Sequence, residues 1–187
     1  MQEWFNQNNM AKIVDLHAYR TQAAEQRAFS PWRKRFGEVY TQNTKLADLS
    51  DQTLYILALP AEESAVAFYE LIMGILDFGT ATKFSYLEKS KQIKVVDIHL
   101  FLADQARFEM MHRLGWIGSF PGMRSSLLEM VLSFDSIKLL CKKTPPELAE
   151  AHSDYLAYTK LTSNDKEVLI RRLLPQALET YKKQLKF

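Results

Sequence analysis

One pair of side chains in this sequence has types and spacing that suit chemistry: Glu109-Met-Met-His112. Three residues apart on a helix, a carboxylate and an imidazole share one face. Both are metal donors, and carboxylate-bridged di-iron bundles draw on this pattern. Those bundles need a Glu from each of two helices and a Glu-x-x-His from each of two others. This chain has a single Glu-x-x-His. Glu70, Asp77 and His99 are the residues that would complete a metal or ligand site with Glu109 and His112. The plainer reading pairs Glu109 with Arg113, one turn on, and sets His112 at the helix C-terminus, where a cation is favoured. On either reading Glu109 sits on an apolar helix, so it is expected to be buried and to have a partner.

Two acidic stripes accompany this pair. Glu63, Glu70 and Asp77 recur every seven residues, as do Asp97 and Asp104. They form either narrow solvent-facing strips or carboxylates facing each other across a polar cavity, where their like charges would demand a cation. The segment Gly115-Trp-Ile-Gly-Ser-Phe-Pro-Gly122 holds three of the six glycines. It reads as a helix connection: a tight turn whose aromatics fold back onto the core, or else a binding loop whose candidate residues are Trp116, Phe120 and the nearby Arg124. Arg33-Lys34-Arg35 and Arg171-Arg172 with Lys182-Lys183 are basic clusters that would suit phosphates. They read better as solvated helix faces in a chain of net charge +2.

The elements that must position these residues are helices. Proline and glycine, six of each in 187 residues, cut the chain into helix-length pieces. No stretch of clean period-two alternation marks a strand. Helices are expected over 12–29, from Pro31, over 54–59 with a cap at Ser50, and from Pro60 to Phe78 with a stop at Gly79. Residues 84–90 make a short helix or turn. Further helices are expected over 91–114, 123–143 and 146–158. The last starts at an Asn164-x-x-Glu167 capping box and bends or breaks near Pro175. Residues 61–78 and 91–114 carry segments that are apolar nearly all round, which places them at the centre. The fold expected is all-α, a single-domain multi-helix bundle over 10–187 built around those two helices. Residues 1–9 read as a dispensable extension, because Met10-Ala-Lys resembles a second start.

Composition limits the function classes. The chain is 47% hydrophobic and 12% aromatic, which supports a sizeable core and argues against disorder. The 24 basic and 22 acidic side chains nearly cancel, so nucleic acid is an unlikely partner. No window reaches the ~18 apolar residues of a membrane span. A single cysteine, Cys141, beside seven methionines suits the reducing cytoplasm. Phosphate loops, dinucleotide fingerprints, nucleophile elbows and paired zinc thiols are all missing from the sequence. The function expected is therefore non-enzymatic: an interaction or regulatory protein that binds a protein partner or self-associates as a homodimer. A metal- or ligand-binding bundle using Glu109 and His112 is the alternative, and a nucleic-acid-binding regulator the second. No cofactor is expected beyond a metal ion in the first alternative.

Overall fold

The carboxylate of Asp15 accepts hydrogen bonds from the amides of His17 and Ala18 and so starts the first helix, α1 (Leu16–Phe36). The computed structural model describes residues 15–185, of which 73% are helical. The first three residues of the helix expected from Lys12, and the extension 1–9, lie outside the described residues. α1 runs unbroken through Pro31, where a break between two helices was expected. Proline there removes one main-chain hydrogen bond. Burial of Ala28, Phe29 and Trp32 against the next long helix holds the two halves in line. Gly37 ends α1 in the left-handed region, φ 71°, which a glycine adopts freely.

A 3-10 turn (Leu46–Asp48) leads to α2 (Asp51–Ala58), capped as expected by Ser50, whose hydroxyl accepts from the Thr53 amide. α3 (Glu62–Leu76) follows. It ends at Asp77, itself left-handed at φ 58°, two residues before the expected stop at Gly79. α1 and α3 form the most extensive helix pair, and Gly74 is what lets them approach. A Cβ on Gly74 would lie 2.8 Å from the backbone N and Cα of Ala28. The indole of Trp32 donates to the Ala67 carbonyl at 2.7 Å across the same seam.

After a 3-10 stretch (Ala81–Tyr86) comes α4 (Lys89–Arg113), the longest helix. It packs on α2 and α3, with Ile98, Leu102 and Ala106 fully buried. Phe68, Leu71 and Ile72 of α3 are equally buried, so these two helices do form the centre. α4 is buried all round only in its C-terminal half; Ile93 and Leu100 in its first half are 52% and 57% exposed.

The remainder differs more from the expected boundaries. The helix expected over 123–143 is a 3-10 turn (Pro121–Arg124) and two helices, α5 (Leu127–Leu132) and α6 (Phe134–Lys143), separated at Ser133. The helix expected over 146–158 is largely turns, with only α7 (Tyr155–Tyr158) helical. Residues 147–149 instead lie along 116–118: the amide of Gly118 donates to the Glu147 carbonyl at 3.0 Å, and that of Ala149 to the Trp116 carbonyl at 2.8 Å. α8 (Ser163–Gln184) is capped by Thr162 with Asp165, two residues ahead of the expected cap, and continues through Pro175 without a break. The buried apolar residues, from Ala24 in α1 to Tyr181 in α8, form one cluster.

Candidate functional site

Glu109 is 2% exposed, on the inner face of α4. Its Oε1 accepts from Nε of Arg113 at 3.0 Å, as one-turn spacing allows. Its Oε2 is buried with no hydrogen-bond partner among the described residues. Arg113 uses the rest of its guanidinium on other elements. One nitrogen meets Asp51 Oδ1 at 2.7 Å, at the start of α2. The other donates to the carbonyls of Leu46, Ala47 and Leu49, in and just after the 3-10 turn, at 3.0–3.1 Å. Asp51 in turn accepts from the Tyr181 hydroxyl of α8 at 2.5 Å.

This Glu109–Arg113–Asp51–Tyr181 cluster ties α4, α2 and α8 together. Hydrogen bonds from Tyr181 and Arg113 hold the Asp51 carboxyl below its ordinary range. Burial, reinforced by the neighbouring Asp51 carboxylate, pushes the Tyr181 phenol up. Burial alone would lower Arg113, but its bonds to Asp51 and Glu109 outweigh that and raise it. At neutral pH the cluster is a fixed arginine between two carboxylates, with a neutral phenol at its edge.

The other predicted donors go elsewhere. Nδ1 of His112 lies 3.2 Å from the Ile117 carbonyl, so the ring reaches past the helix end into the following loop. Glu70 makes a two-pronged bond to Arg35 of α1, at 2.8 and 3.2 Å. Asp77 meets Arg27 of α1 at 3.3 Å. His99 packs between the rings of Phe68 and Tyr69, and burial lowers its pKa. Each predicted donor thus has its own partner, and the five do not converge. Among the described residues no three or more His, Cys, Asp or Glu side chains are grouped to hold a metal. On α4, Asp104 bonds Arg107 and Arg171. The cations matching Glu70, Asp77 and Asp104 are therefore arginines, chiefly of α1 and α8.

Those arginines account for much of the basic clusters. Arg35 and Arg171 are engaged with carboxylates, and Arg33 donates to the Tyr40 carbonyl at 2.7 Å. In the Gly-rich loop, Phe120 is buried edge-on to Phe108, and Trp116 is half-buried against the His152 ring. Arg124 remains exposed. Cys141 is half-buried with Sγ 3.9 Å from Gln105 Oε1, and burial raises its thiol pKa, so it is not poised as a nucleophile.

Sequence reasoning found the Glu109–Arg113 pair but missed Asp51, Tyr181 and the three carbonyls of the 3-10 turn. No local signal marks them, since they are separated by 62 to 67 positions from Arg113, and Tyr181 by 130 from Asp51. What local sequence did carry is the composition of α6. Leu132, Leu139 and Leu140 are each more than half exposed, next to the exposed Lys138, Lys142 and Lys143. Lone exposed leucines are ordinary; three within nine residues of sequence concentrate apolar surface on α5 and α6.

No protein-family model, curated protein or solved structure matches this chain.

Proposed function

We propose that this chain is a non-enzymatic helical interaction protein of the cytoplasm. The observation that carries the reading is the contrast between its internally paired charges and the exposed leucines of α5 and α6. The side chains with chemical potential, Glu109, Asp51, Glu70 and Asp104, are bonded to arginines that join helices. The exposed leucines of α5 and α6 have no such internal role. Apolar centres with a charged rim are the usual make-up of protein-binding surfaces. Lys138, Lys142 and Lys143 around Leu139 and Leu140 suit a protein partner with an acidic rim. The cytoplasmic assignment rests on the lone cysteine.

The experiment compares wild type with Leu139→Glu/Leu140→Glu, tagged and expressed at equal abundance in the native cell. Both positions are exposed, so the melting temperature should hold within a degree or so. A protein recovered with wild type and lost with the variant supports the reading. Identical sets of co-purified proteins at equal stability refute a partner on α6.

A further inference from the structure

The first three turns of α4 present a second uncovered stripe, and it is self-complementary. Lys89, Ile93, Val96 and Leu100 follow one another at spacings of four and three, so they share one side of the helix. That side is covered only toward the C-terminus. The buried face of α8 begins at Ile170, and its ion pair with α4 is Arg171–Asp104, at 3.1 Å. On the other flank the 3-10 stretch is held by Gln92, whose amide donates to the Phe84 carbonyl at 3.3 Å. Between them Ile93 and Leu100 stay exposed and Val96 half-buried.

We infer that this stripe binds the same stripe of a second copy, antiparallel about a two-fold axis between Val96 and Asp97. A two-fold contact brings a surface against itself, so it must be complementary to itself. This stripe meets that condition in one register. Setting Ile93 on the partner's Leu100 also sets Leu100 on the partner's Ile93, since the pair is symmetric about that midpoint. Lys94 and Asp97, both exposed and in no ion pair among the described residues, lie on one flank. An antiparallel two-fold sets that flank against itself, placing Lys94 near the partner's Asp97 and Asp97 near the partner's Lys94. A parallel pairing would set like charges side by side. Three helical turns make a short contact, so the association belongs with weak, concentration-dependent ones.

This inference names one partner for the interaction reading above, but on a different surface, so the two fail separately. The test is sedimentation velocity of the full chain over a wide concentration range. Wild type should rise from monomer toward dimer mass. Leu100→Glu and Lys94→Asp should each raise the dissociation constant by more than about tenfold while helical circular dichroism is unchanged. Asp97→Lys alone should do the same. Mixing Lys94→Asp with Asp97→Lys should restore the dimer, because both cross pairs then become attractive. Leu139→Glu/Leu140→Glu should dimerise like wild type. The inference is overturned by a wild type that stays monomeric, a dimer indifferent to Leu100→Glu, or a charge-swapped mixture that does not associate. None of them touches the α6 comparison. Loss of the dimer in the α6 variant would move the contact to that face and equally overturn it.

Discussion

Tyr181 of α8 donates its hydroxyl hydrogen to Asp51 of α2 at 2.5 Å, across 130 positions of sequence. The same Asp51 oxygen receives Arg113 at 2.7 Å. One acceptor at the start of a short helix thus anchors the last turns of the C-terminal helix to the end of the central one. Tyr181→Phe keeps the ring and removes the bond. Because the acceptor is charged, the expected loss is about 1.5–3 kcal/mol in urea unfolding, toward the lower end since Asp51 is partly exposed. The Asp51 carboxyl is depressed, so its stabilisation is present above its unfolded value and is lost as pH falls through the folded one. Tyr181→Phe should therefore flatten the acid limb of the stability curve below about pH 4.

Arg113 and Glu109 should not respond alike to substitution. Arg113→Ala leaves Glu109 as an uncompensated buried charge and removes the guanidinium from three carbonyls, of which Leu46 keeps the Leu49 amide. Breaking a buried pair from one side typically costs about 3–5 kcal/mol, and this variant belongs at that level. Glu109→Gln keeps an acceptor for Arg113, so a smaller loss is expected, with the metal content of the purified protein unchanged. Equal losses in denaturant titration, or metal released by Glu109→Gln, would contradict this account.

Gly74→Ala should push α1 and α3 apart. The added methyl would meet backbone atoms of Ala28 at 2.8 Å, and backbone cannot swing aside as a side chain does. The expected cost is about 1–3 kcal/mol, the usual range for overpacking, even though alanine favours helix over glycine. A thermal melt that shows stabilisation would mean the two helices have room to separate.

His99 gives a pH signature of the opposite region. Burial against Phe68 and Tyr69, with the Arg107 charge nearby, favours its neutral form. Its folded pKa is lowered, so as pH falls below about 6.5 the unfolded chain takes up a proton first. Stability should then decline between about pH 7 and pH 5, and His99→Phe should remove most of that slope. Urea midpoints at the two ends of the range decide it, and identical slopes for the two proteins would dismiss His99 as the cause.

Leu102→Ala checks the core directly, since Leu102 is fully buried in α4. A loss of about 2–5 kcal/mol is expected from urea unfolding, as for other large-to-small core changes. A loss below ~1 kcal/mol would place the side chain outside the core.

The sequence by itself determined the helical class, the central pairing of α3 and α4 and the bond between Glu109 and Arg113. All of these follow from short-range rules: apolar period, capping residues and one-turn spacing. Those rules misplaced Pro31, because proline's local cost was overridden by Phe29 and Trp32 burying against α3. They also made a helix of 146–158, where the Glu147 carbonyl and the Ala149 amide pair instead with the 116–118 loop and the rest is mostly turns. Only the tertiary structure decided where the charges went. Glu70, Asp77 and Asp104 read as solvent strips or a cation site, and arginines from α1 and α8 met them. Nor could periodicity show that α4 is covered all round in one half and open in the other. A helix records in its own residues which faces are apolar, whereas the neighbour that covers each face arrives from distant sequence, here from α8.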